Sequence, residues 1–197
     1  MGSIEIRPRM FVQPFTDGMA RRLNGYQLRH LITKHRQQAP MLTAAFESGT
    51  SYFPDPAVPT VNKPNLFRLG DKITANDEAW GAFRILQQVY NLAIEAHVND
   101  GWFSICARLK TLEALNISHK NWKTATEIGL HKRSRYDDAT SLPTVVVGTI
   151  TATPTVTFDE AKAMVDIIAE RRSVVNAAIN LANGVDLDFQ VPEYLAV

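Results

Sequence analysis

The run from Trp80 to His97 leaves so little polar surface that few arrangements of a chain can hold it. Spaced as a helix, Phe83, Leu86, Val89, Tyr90, Ala93 and His97 fall on one side and Ile85 and Leu92 on another. Only Arg84, Gln88, Asn91 and Glu95 form a polar stripe. A stripe that narrow means that the helix is surrounded by other parts of the protein or by neighbouring copies of it. The spacing predicts a central helix capped by Asn76 or Asp77, hinged at Asn99-Asp100-Gly101 to a second helix. On that second helix Trp102, Ile105, Cys106, Leu109 and Leu112 share a face. Ser118 is expected to cap a third, short helix through Trp122, Ala125 and Ile128, with Gly129 at its end.

The segments before the central helix divide into three. Residues 1–18, with Pro8, Pro14 and no hydrophobic period, are expected to form an extended arm. A helix over Met19 to Gln38, capped by Thr16 or Asp17, would turn Met19, Leu23, Leu28, Leu31, Ile32 and His35 inward. Arg21, Arg22, Arg29, Lys34 and Arg36 would lie outside, and Pro40 would open a further short helix through Phe46. Residues 50–70 hold Pro54, Pro56, Pro59 and Pro64 among aromatic and β-branched side chains. Proline fixes its own dihedral and pushes the preceding residue to extended conformations, so this stretch predicts a stiff strap that packs on its own core or on a neighbour.

Beyond Thr144 the composition turns β-branched, which predicts a small strand element over about 144–158. Thr157-Phe158-Asp159-Glu160 is a capping box and opens an amphipathic helix through Ala182, stopped at Asn183-Gly184. Val185, Leu187, Phe189 and Val191 then alternate with Asp186, Asp188 and Gln190, as in a strand. The expected fold is mainly α: a bundle of about five helices in one domain over 19–191, with extended segments at 1–18, 50–70 and the C-terminus, and 192–197 as a tail.

At 197 residues the chain is long enough to bury about 70% of its unfolded surface without a metal or disulfide staple. Its single cysteine, Cys106, sits in an apolar run and reads as a small buried hydrophobe, which fits a reducing compartment. No apolar run reaches transmembrane length and no signal-peptide core opens the chain, so an intracellular or virion-like location off the membrane is expected. Phosphate-loop, dinucleotide, nucleophile-elbow and zinc motifs are absent. No catalytic, metal or cofactor site is expected.

Charge is segregated beneath a net +1. Residues 1–40 carry seven Lys or Arg against two acids and residues 101–136 carry seven against two, whereas residues 137–197 carry nine acids against three bases. Two basic segments suit a polyanion or head-to-tail contact between copies. The densest constellation is Arg108, Lys110, Lys120, Lys123, Lys132, Arg133 and Arg135 with Trp122 and Tyr136, and Arg21, Arg22 and Arg29 form a second group. Cations near a backbone, with aromatics that stack bases, are what sequence-tolerant binding of a single strand needs. The chain is therefore expected to be a self-assembling, nucleic-acid-binding structural protein of the coat or nucleocapsid kind, with copies of itself and single-stranded nucleic acid as partners. An enzyme or small-ligand protein with a pocket around the central helix, and a DNA-binding regulator, are the competing readings.

Overall fold

The computed structural model describes residues 3–50, 65–99, 101–135, 145–147, 150–152 and 156–195, without the side chains of 127–135, 145–147 and 150–152. Elements follow in the order β1 (Glu5–Pro8), β2 (Met19–Leu23), α1 (Gly25–Thr50), α2 (Leu66–Ala93), β3 (Ile94–Val98), β4 (Gly101–Ser104) and α3 (Ile105–Arg135). They end with β5 (Val145–Val147), β6 (Ile150–Ala152), α4 (Phe158–Asn183), β7 (Leu187–Val191) and a 3-10 turn at Glu193–Leu195. The protein is mainly helical, with four long helices among the described residues where about five were expected. Of the strap expected over 50–70, residues 51–64 lie outside the described residues, while Thr50 ends α1 and residues 66–70 open α2, so its described ends are helical and not extended.

The chain divides into two compact units. One comprises Ile6–Glu95 with Leu181–Val197. In it α1 and α2 run in opposite directions, since Phe46 approaches Gly70, His35 meets Asn76, and Gly25 abuts Tyr90. The core is Leu28, Ala79, Ala82, Phe83, Leu86 and Tyr90, joined by Leu187, Phe189 and Val191 of β7. Phe83, Leu86 and Tyr90 are buried as expected, whereas Trp80 is only half-buried, with Arg84 over its ring at 4.8 Å.

Several boundaries differ from the sequence reading. The central helix ends at Ala93, and His97 and Trp102, expected on helices, lie on strands β3 and β4, because Ile94–Val98 takes a place in the sheet between β1 and β4. The α2 cap is Asn65, whose side chain accepts from the Arg68 amide at 3.0 Å, while Asn76 is buried inside the helix. Met19–Leu23 is a strand, not the start of a helix, because β7 offers an antiparallel edge that sets Met19 opposite Val191 and Leu23 opposite Leu187. Helix α1 begins one element later, at a reciprocal cap: the Asn24 amide donates to the Gln27 side chain and the Gln27 amide to that of Asn24, both at 3.0 Å. It then continues through Pro40 to Thr50 as one helix, held on both sides of the proline by α2.

The arm is extended and belongs to the fold. β1 borders β3 in a sheet of order β1-β3-β4. Arg7 and Arg9 converge on the Glu95 carboxylate at 2.8 and 3.1 Å. Gln13 then completes the free edge of β7 with its side chain, donating to the Asp188 carbonyl at 2.8 Å and accepting from the Gln190 amide at 2.9 Å. Between arm and β2, Gly18 has φ +154°, and a Cβ there would overlap the Val191 carbonyl.

The other unit comprises Ala96–Asn180 with Met1–Glu5. Here α3 runs unbroken from Ile105, where two helices were expected, so Ser118 caps nothing. Ser104 takes the capping role, accepting from the Ala107 amide at 3.3 Å. Ile105, Arg108, Leu112, Leu115, His119, Trp122 and Thr126, alternately three and four apart, are the buried or half-buried row of α3. Phe158, Ala161, Val165, Ile168, Arg172, Val175 and Ile179 repeat that spacing on α4. Each row has the three-four spacing of a heptad stripe, with an arginine set into it. Cys106 falls outside the row and is exposed, contrary to the expected burial. The hairpin of β5 and β6 and the Thr157–Glu160 capping box, with Thr157 N to Glu160 Oε2 at 2.8 Å, lie where the sequence puts them.

Candidate nucleic-acid interface

A cleft of about 560 Å³ opens between α1 and α2 beside β2 and the 3-10 turn. Three cations from three elements line it: Arg21 of β2, Lys34 of α1 and Lys72 of α2. No carboxylate is among its described lining residues. Its floor is apolar, through Leu31, Ala79 and Phe83, and Tyr194 stands at the rim more than half exposed. Cations gathered away from carboxylates over a partly apolar floor attract a phosphate oxygen and give a ring something to lie on.

Local structure sets each of these groups. Strand alternation puts Arg21 on the same side of β2 as buried Leu23, and its guanidinium donates to the Leu195 carbonyl at 3.4 Å, which ties it to the turn that carries Tyr194. Lys34 precedes His35 on α1, and Lys72 lies one helical turn before Asn76 on α2. His35 and Asn76 lock the two helices together: ring nitrogen Nδ1 lies 3.0 Å from Asn76 Oδ1, and Asn76 Nδ2 donates to the His35 carbonyl at 3.1 Å. The ring also stacks on Phe83, with centroids 5.5 Å apart.

The other residues singled out from the sequence are dispersed. Arg22 is exposed and pairs with Asp186 at 3.4 Å, and Arg29 is exposed on α1. Arg108 is buried, donating to the Ala96 and Gly101 carbonyls at 3.3 and 2.7 Å and lying over Phe103, so its guanidinium holds the β3–β4 hairpin. Lys110, Lys120 and Lys123 are exposed along α3, the first 3.2 Å from Glu113, and Trp122 is half-buried in the inward row. Lys132, Arg133 and Arg135 lie on the last turns of α3 with side chains outside the described residues, as is Tyr136 altogether. Sequence reasoning placed Lys34 on an outer face and assigned no role to Lys72 or Tyr194. No local signal points to them, because only the pairing of α1 with α2 and of β2 with β7 brings them to Arg21.

A second cleft of about 560 Å³ lies within the other unit, between Arg108, Thr111 and Leu115 of α3 and Ile167, Glu170, Arg171 and Val174 of α4. It contains a carboxylate and its Arg108 is taken up by carbonyls, so it suits a polyanion less. Among the described residues no three His, Cys, Asp or Glu side chains cluster as metal ligands, and no helix is long and apolar enough to cross a membrane. No protein-family model, characterised protein or solved structure matches the chain.

Proposed function

We propose that the protein is a self-assembling structural protein of the coat or nucleocapsid kind that holds single-stranded nucleic acid by its backbone. The observation that carries this reading is the convergence of Arg21, Lys34 and Lys72 on one cleft without a lining carboxylate among the described residues. Phosphodiesters enter such a site whatever their bases, and Tyr194 supplies a ring for stacking. The exposed lysines of α3 offer further phosphate contacts. Self-association draws support from apolar side chains left at the surface, among them Met10, Val12, Phe67 and Leu92.

A small-ligand pocket beside the central helix is the second reading, favoured by the cleft volume, which lies in the usual range for such sites. Titration with a mononucleotide and with a mixed-sequence single strand separates the two. Strand binding much tighter than mononucleotide binding, with regular particles in negative stain and a raised 260/280 nm absorbance ratio, is the expected result. A clean monomer that binds the mononucleotide as well as the strand would overturn the proposal.

A further inference from the structure

The hydrogen-bond geometry at the cleft floor determines which way its one histidine faces chemically. Asn76 Nδ2 donates to the His35 carbonyl, which fixes the amide so that Oδ1, an acceptor, meets the imidazole at Nδ1. Turning the amide over would set NH₂ against the ring nitrogen and oxygen against carbonyl oxygen, which loses the bond to the carbonyl. The ring must therefore carry its proton on Nδ1. In the neutral form Nε2 is then a lone pair without a hydrogen bond to Asn76, on a ring that lines the cleft.

A lone pair among three cations is an unusual lining for a site that takes only phosphate. Phosphodiester oxygens accept and never donate, so Nε2 has nothing to bond along a phosphate backbone. A strand bound without regard to sequence offers one donor at every residue, the 2′-hydroxyl, and only RNA carries it. Resting on the cleft as a strand-binding site, we infer that it selects RNA over DNA, with Nε2 of His35 accepting from a ribose 2′-hydroxyl while Arg21, Lys34 and Lys72 hold the flanking phosphates. Asn76 is the positioning residue, because it holds the tautomer and the ring without reaching the strand.

The test uses the full chain and three oligonucleotides of one mixed sequence: RNA, DNA and the 2′-fluoro strand, which keeps an RNA-like sugar but cannot donate. RNA is expected to bind tighter than both others by on the order of five-fold, the factor carried by one neutral hydrogen bond. DNA and 2′-fluoro affinities should agree. His35→Gln and His35→Phe, checked by circular dichroism, should bring RNA down to the DNA level while leaving the salt dependence intact. Equal binding of all three strands, or 2′-fluoro binding as tight as RNA, would overturn the inference and leave the cleft reading standing. If K34Q/K72Q changes neither affinity nor salt dependence, the cleft reading itself is overturned.

Discussion

The Tyr90 hydroxyl lies 2.6 Å from the carbonyl oxygen of Ala182 and 2.7 Å from that of Val185, so one buried phenol on α2 closes the C-terminal end of α4. Ala182 and Val185 are among the last carbonyls of a helix and its exit, which have no partners within the helix. Burial is the chief cause that pushes the phenol up to about 12, against an ordinary value of about 10.

That shift sets a pH dependence with a definite sign. A phenol held neutral in the fold contributes stability that is fully present below about pH 10 and is lost as pH rises toward 12. Tyr90→Phe should lower stability at neutral pH by about 1–3 kcal/mol, because the one phenolic proton shared by two carbonyls is lost, although the Ala182 carbonyl keeps the Val185 amide at 3.2 Å. It should also flatten the alkaline limb. Urea titrations of both proteins from neutral to strongly alkaline pH read the two effects, and an unchanged limb would remove Tyr90 from this role.

Glu95 governs the acid side. The hydrogen bond from Arg7, with the charges of Arg9 and Arg7 adding to it, holds its carboxyl below the usual carboxylate range. A depressed carboxylate contributes stability above its unfolded pKa and loses it as pH falls through the folded one. Glu95→Gln should therefore leave a shallower loss of stability in acid and release β1, seen as faster amide exchange at Ile6 and Arg7. Exchange equal to that of the parent protein would show that strand pairing alone holds the arm.

Phe83 fills the centre of the α1–α2 interface at 2% exposure and supports the His35 ring. Phe83→Ala should destabilise by about 3–5 kcal/mol. A change below about 1 kcal/mol in chemical denaturation would mean that the interface re-closes around the missing ring.

The cleft and the end of α3 make competing claims on a strand. Neutralising Lys34 and Lys72 to Gln should reduce the slope of log affinity against log salt by about 0.7 for each phosphate that no longer meets a cation. The same change at Lys132 and Arg133 measures the contribution of the basic run that the sequence points to. A larger fall in slope at 132–133 than at 34 and 72 would move the main binding surface from the cleft to α3.

What the sequence conveys depends on how far apart the deciding residues lie. The Thr157–Glu160 box and the alternation of Leu187, Phe189 and Val191 with Asp186 and Asp188 are short-range patterns, and the structure keeps both. Met19–Leu23 carries good helix formers, and only the edge of β7, from the other end of the chain, turns it into a strand. Asn76 looks like a cap by residue type, yet its amide serves His35 across the helix pair. The site suffers most from this limit: Arg21, Lys34 and Lys72 sit on three elements, so no window of sequence holds them together. Arg108 shows the converse, since a cation in a basic run is drawn inward by the carbonyls of a hairpin whose residues have the spacing of a helix.

Gly18 carries a consequence for anyone who mutates this chain. The residue is exposed, and by exposure alone it would rank among the freely substituted positions. Its backbone angle and the Val191 carbonyl nevertheless leave no room for a Cβ. In a library randomised at every position and selected for folding, the column at 18 should return glycine almost alone, while its exposed neighbours Asp17 and Met19 drift.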